Sequence, residues 1–220
     1  MPTAAILPIK SLAQAKQRLR LELASHERRA LVEAMFADAL VALGRVSALE
    51  RVVVVSGDRV AQRIASGYGA TVVEEDDERG HNTAATRGID LLLEEGIDRA
   101  LLVPGDCPML SPLDLTALLN HPTGERSALI VPDRHGTGTN ALLLSPPDVL
   151  APSFGPDSRR RHLADASSVG VAAEVVELDS LALDVDTPED LEALRRKLAR
   201  THGGAAHTRG MLNQLMRARS

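Results

Sequence analysis

Five short stretches of the chain carry residue types and spacings suited to handling phosphates beside a divalent cation. Leu7-Pro8-Ile9-Lys10 runs on to Ala15-Lys16-Gln17-Arg18-Leu19, so two lysines and an arginine share one loop. Lys offers a point charge and Arg a planar fork, a combination that fits a polyphosphate. Lys10 and Lys16 are therefore candidate catalytic cations and Arg18 a candidate nucleotide contact. The acidic run from Glu74 to Glu78 leads into Arg79-Gly80-His81-Asn82. There Gly80 permits close backbone approach, and Asn82 could read a base or ribose edge while capping a helix. Pro104-Gly105-Asp106-Cys107-Pro108 ends an apolar run and delivers one carboxylate, Asp106, with the position and hardness of a Mg²⁺ ligand. Cys107 beside it reads as a packing residue, since no adjacent group could act as its base.

Asp184-Val185-Asp186-Thr187-Pro188-Glu189 is the fourth stretch. Residues two apart on an extended segment share a face, so Asp184 and Asp186 could both turn toward the same ion. Asp186 also has a plainer reading as the cap of the helix that follows, and the two roles can be divided between the two aspartates either way. The fifth combines Asp133-Arg134-His135-Gly136-Thr137-Gly138-Thr139 with Phe154-Gly155-Pro156-Asp157-Ser158-Arg159-Arg160-Arg161. Alternating Gly and Thr can present N–H groups and hydroxyls to an anion, and Gly155, Ser158, Arg134 and Arg159 would form a second wall. The plainer reading there is a turn beside a basic patch.

Something must carry these loops to one place. Ala4–Ile9, Arg51–Val55, Ala70–Glu74 and Arg99–Val103 read as strands, with Leu129–Val131, Asn140–Leu144 and Ala172–Leu178 as later ones. Between them come helical patterns over His26–Leu43 behind a Ser25 cap, Val60–Tyr68, Asn82–Glu95, Pro112–Leu119 behind a Ser111 cap, and Thr187 to about Arg200. This alternation predicts an α/β fold with a mixed, mostly parallel sheet covered by helices on both faces. Ligands then sit beyond the carboxyl ends of the strands, where most of the candidate residues fall. Residues 1–200 make a single domain, and 201–220 form a tail that is either disordered or a helix over Gly210–Arg217 packed on a partner.

Composition narrows the classes. With no Trp, one Tyr and two Phe among 220 residues, there are almost no rings on which a nucleic-acid strand could stack. A net charge of −5 also speaks against a general nucleic-acid binder. One cysteine excludes an internal disulfide and a Cys-rich zinc site. There is no long apolar run for a membrane span and no signal-like N-terminus, so a cytoplasmic location is expected. The absence of G-x-G-x-x-G after the first strand disfavours a dinucleotide-binding dehydrogenase.

Taken in order, PIKSLAQAKQRL, GHNTAATRGI, PGDCPML, DRHGTGTNALLL, FGPDSRRRH and DVDTPEDL resemble the guanylyltransferases of coenzyme F-420 biosynthesis. These act on 2-phospho-L-lactate, phosphoenolpyruvate or 3-phospho-D-glycerate, and the resemblance spans about residues 4–195. It implies a nucleotidyltransferase fold of the glycosyltransferase-A type, GTP as donor and Mg²⁺ as cofactor. It further implies that Thr139, Gly155 and Ser158 touch the phosphorylated acid, and that Asp106 binds metal with Asp184 or Asp186. The first loop lacks the Gly-rich cradle of many nucleotidyltransferases, which leaves more phosphate binding to Lys10, Lys16 and Arg18. The partners implied are small molecules, with neither nucleic acid nor membrane, and with room for a homodimer. Cytidylyl or molybdopterin transfer on the same fold, or GTP binding without turnover, are the competing expectations.

Overall fold

The computed structural model describes residues 1–75 and 80–218. The acidic positions Asp76, Asp77 and Glu78, with Arg79, lie outside the described residues. The strands are β1 (Thr3–Pro8), β2 (Arg51–Ser56), β3 (Thr71–Glu74), β4 (Arg99–Leu102), β5 (Ser127–Pro132), β6 (Thr139–Ser145) and β7 (Ala172–Val175). They form one sheet in the order β3-β2-β1-β4-β6-β5-β7, in which β6 runs antiparallel to both β4 and β5 and the other pairs are parallel. The mixed, mostly parallel sheet expected from the alternating pattern is present.

The helices are α1 (Ser25–Leu43), α2 (Arg59–Gly67), α3 (His81–Glu94), α4 (Pro112–Leu119), α5 (Ser158–Ser168), α6 (Pro188–Arg200) and α7 (Ala206–Ala218). Strand residues alternate between two apolar cores. Ala5, Leu7, Val54, Leu101 and Leu143 join a core with α1, α4, α6 and α7, while Ala4, Ile6, Val53, Leu102 and Leu142 join one with α3 and α5. Both faces of β1 are buried throughout, which is why its sequence reads as a continuous apolar run. Aliphatic side chains fill most of these cores, and the aromatic Phe36 is the largest fully buried side chain among the described residues. No described helix is long and apolar enough to cross a membrane.

Several local expectations are corrected. Ser25 lies inside α1; the N-cap is Ala24, whose N–H donates to Glu27 Oε2 at 2.7 Å. Helix α5 was not expected, because its buried stripe consists of Ser158, His162 and Ala166, a narrow i, i+4, i+8 row without large apolar residues. Within the tail, Ala206–Ala218 form α7, which packs on α1, and its Leu212 and Leu215 belong to the main core. The buried carboxylate of Asp38 on α1 accepts from the N–H groups of His207 (3.0 Å) and Thr208 (2.8 Å), capping the start of α7.

Candidate active site

In the sheet order, β1 is followed on one side by β2 and β3 and on the other by β4, so the winding reverses between β1 and β4. A crevice opens at the carboxyl ends of such a strand pair. It holds a cavity of about 440 Å³ lined by Lys10, Lys16, Phe36, His81, Asp106 and Asp186 among others. Two features let the loops after β1 and β4 come together. A Cβ on Gly105 would stand 2.5 Å from Ile9 Cδ1, so a larger residue there would have to displace the end of that side chain. Asp58 fixes the first loop: its Oδ2 accepts from the N–H of Leu12 at 2.8 Å while its Oδ1 caps α2.

Lys16 adopts a left-handed conformation (φ 56°), which for a side-chain-bearing residue costs about 1–2 kcal/mol. The turn is held on its far side by the fully buried Leu19 in a short 3₁₀ turn, Gln17–Leu19. This bend carries the nearly buried ammonium between two carboxylates, bonded to Asp106 Oδ2 and at 2.6 Å to Asp186 Oδ1. Burial alone would lower the lysine's pKa, but Asp106 and Asp186 outweigh it and the pKa is raised. The lysine is thus a permanent cation. Asp106 Oδ1, by contrast, is buried with no hydrogen-bond partner among the described residues.

The segment that brings Asp184 and Asp186 is irregular, yet it keeps extended alternation: Leu181, Leu183 and Val185 are buried and the two aspartates turn outward between them. Asp186 does not cap α6. That position belongs to Thr187, whose hydroxyl accepts from the Asp190 N–H, while Asp190 Oδ2 accepts from the N–H groups of Asp186 and Thr187. The Asp186 carboxylate is consequently left for Lys16. Asp184 accepts from Asn140 Nδ2 at 3.2 Å. Burial, then the negative charge of Asp106, pushes its carboxyl up to about 6. The three aspartates from two distant segments therefore share one electrostatic neighbourhood.

His81 is the residue that reading the sequence missed. It opens α3, lines the cavity, and sits edge-on to Phe154 with ring centroids 5.1 Å apart. Burial lowers its pKa, with Asp106 opposing. Only its place between Gly80 and Asn82 in the sequence could have flagged it. Lys10 is exposed and lines the same cavity, whereas Arg18 is exposed in the 3₁₀ turn and is not among the lining residues. Cys107 is buried, burial pushes its thiol up, and it donates weakly to the Leu181 carbonyl, as a packing residue would.

Two expectations for the second and fifth stretches need correction. The cap of α3 is Gly80, not Asn82, and the Asn82 amide is engaged twice by Phe154, accepting from its N–H (2.8 Å) and donating to its carbonyl (3.2 Å). The open backbone nest expected over 133–139 is partly closed by its own aspartate: Asp133 Oδ1 accepts from the N–H groups of His135 and Thr137. Arg134 pairs with Asp190 at 2.5 Å, and Arg159 Nη1 donates to the Gly136 carbonyl at 2.8 Å. Gly155 has φ 119°, and Ser158 is buried at the start of α5 with its N–H donating to the Gly155 carbonyl. Thr139 is buried against His162.

The end of β6 joins the two regions. The β5–β6 register jumps from Val131↔Ala141 to Pro132↔Thr139, a bulge at Asn140. An extra residue reverses the alternation of faces. Asn140 thereby donates toward Leu181 and Asp184 on the α6 side, while Thr139 meets His162 of α5 on the other.

Comparison with known proteins shows the family and the fold. The family described as "Guanylyl transferase CofC like" matches residues 3–218. The chain is 54% identical to phosphoenolpyruvate guanylyltransferase of Conexibacter woesei, covering 99% of this chain and 98% of that protein. It is 34% identical to 2-phospho-L-lactate guanylyltransferase of Methanothermobacter thermautotrophicus, covering 98% and 92%. Among solved structures, a nucleotidyl transferase from Methanothermobacter superposes with a TM-score of 0.68 at 18% identity, covering 91% of this chain and 99% of that one, which speaks for the fold. The chain belongs to the CofC-like family of guanylyl transferases.

Proposed function

We propose that this protein transfers GMP from GTP to a small phosphorylated acid, with release of pyrophosphate, in the cytoplasm as a step of coenzyme F-420 biosynthesis. The observation that carries the reading is Lys16 clasped by Asp106 and Asp186 at the mouth of the β1–β4 crevice, beside a buried oxygen of Asp106 that has no partner among the described residues. A lone lysine would suit any anion. A lysine paired with carboxylates that still lack a full set of partners suits an anion arriving with a divalent cation.

Mg²⁺ fits the donors. Among the described residues no group of three metal-ligating side chains stands together. Mg²⁺ asks for less, since it typically takes one or two protein carboxylates and fills the rest with phosphate oxygens and water. Asp106 and Asp186 would hold it, with Asp184 adding negative charge from behind. When bound, the ion neutralises charge that builds on the phosphates.

The chain's own residues do the rest. Lys16, kept cationic by the neighbouring Asp106 and Asp186, would turn its ammonium to phosphate oxygens; Lys10 adds a second cation on the same cavity. An oxygen of the acid's phosphate attacks the α-phosphorus of GTP, and the bond from that phosphorus to the bridging oxygen of the β-phosphate breaks as pyrophosphate leaves. The attacking group is already ionised near neutral pH, so positioning and charge neutralisation suffice. Thr139, Gly155 and Ser158 are the residues we assign to the acid.

The test offers 2-phospho-L-lactate, phosphoenolpyruvate and 3-phospho-D-glycerate in turn with GTP or CTP and Mg²⁺, following pyrophosphate and weighing the product. A guanylylated acid is expected. Turnover of CTP in place of GTP, or no pyrophosphate with any acid, sinks the reading.

A further inference from the structure

The Thr139–His162 contact has a polarity that can be worked out from its surroundings. His162 is fully buried on α5. Its Nε2 lies 3.0 Å from the backbone nitrogen of Ser153, and a backbone N–H can only donate. Nε2 is therefore the bare, accepting nitrogen. A neutral ring then carries its proton on Nδ1, which lies 3.0 Å from Thr139 Oγ1. Burial keeps the ring neutral by drawing its pKa down to about 4, with Arg161 acting in the same direction and Asp165 against it. Nδ1–H donates and Oγ1 accepts, so the Thr139 hydroxyl proton is directed elsewhere. Among the described residues, His162 is the hydrogen-bond partner of that hydroxyl.

The ring cannot easily turn over to exchange its two nitrogens. Phe154 packs edge-on against it, with centroids 5.4 Å apart, and the Phe154 backbone is itself held by the Asn82 amide, which accepts from its N–H and donates to its carbonyl. The bulge at Asn140 places this hydroxyl one residue from the side chain that touches Asp184.

We propose that His162 is a positioning residue that makes the Thr139 hydroxyl an obligate donor, so that Thr139 receives an anionic oxygen, carboxylate or phosphate, of the acid substrate. This rests on the proposed transfer to a phosphorylated acid. His162 acts through Thr139, without touching the substrate itself.

A double-mutant cycle with a tautomer measurement tests it. His162→Gln retains an acceptor for the Ser153 N–H but withdraws the donor from Thr139; His162→Asn retains a donor near Nδ1. Thr139→Val should raise the KM for the acid roughly 10- to 100-fold, the range for a hydrogen bond to a charged group, with the KM for GTP little changed. His162→Gln should act in the same direction, His162→Asn should recover most of the loss, and His162→Gln should add nothing in the Thr139→Val background. Independent, multiplying effects, or an equal rise in both KM values, overturn the proposal. In the wild-type protein the imidazole ¹⁵N spectrum should put the proton on Nδ1 and leave Nε2 bare. A proton on Nε2 overturns the proposal with no variant needed. Absence of turnover by the wild type with every acid removes the parent function instead, and the tautomer still decides the polarity of the contact.

Discussion

Around the carboxyl ends of β1 and β4, charged side chains face one another across a cavity; around the β5–β6 loop and the start of α5, they are bound to the protein's own backbone and helix ends. Among the described residues, the Lys16 ammonium is held by two carboxylates, and Asp106 keeps a buried oxygen without a partner. Arg134 is tied to Asp190, Arg159 to the Gly136 carbonyl, and Arg161 to the carbonyls of Ser153 and Pro156. Both regions look basic or acidic in sequence, yet the first has charge left to give to a ligand and the second has largely spent it on shape. A cluster of charges is a binding site only where the fold leaves its hydrogen-bonding capacity open.

That contrast can be broken most directly at Asp106. Replacing it with Ala should lower the rate of pyrophosphate release ~10²–10³-fold, as for the loss of one preorganised electrostatic group, while the circular-dichroism melt is retained. Full activity in this variant would remove the carboxylate from the mechanism. Lys16→Met comes next, with a loss nearer ~10²-fold. Without the ammonium, Asp106 and Asp186 repel, so the ligand-free variant should melt lower than wild type and regain stability when Mn²⁺ or Mg²⁺ is added. A melt indifferent to both ions would mean the two carboxylates do not form a cation site. Arg134→Ala should show the opposite profile. Loss of its pair with the buried Asp190 should cost about 1–3 kcal/mol of stability, seen in urea midpoints, with the KM for GTP unchanged. A raised KM with an unchanged midpoint would return Arg134 to the binding machinery.

Much of this organisation was legible in the residues. The continuous apolar run at β1 and the Gly-Asp pair after β4 announce a parallel sheet whose loops carry the chemistry, and the spacing of Asp184 and Asp186 placed both on one side of an extended segment. What escaped was decided by partners far away in sequence. Asn82 looks like a free amide until Phe154 is brought to it, 72 residues on. Asp133 looks like one acid in a glycine-rich loop, but its short side chain closes on the N–H groups that would otherwise receive an anion. Helix α5 hides because its buried face is Ser158, His162 and Ala166, without any large apolar side chain to mark it. Asp186 and Thr187 are both good caps, and only the reach of Asp190 back to two backbone N–H groups decides between them.

The clamp of Asp38 on the start of α7 bears on how the molecule is made. Its two backbone donors lie 169 and 170 positions further along the chain. During synthesis the surface of α1 therefore waits, its carboxylate hydrated, until almost the whole described chain has left the ribosome. Contacts of such long range are slow to form, and the seam between the first and last helices can zip shut only after the sheet beneath it exists.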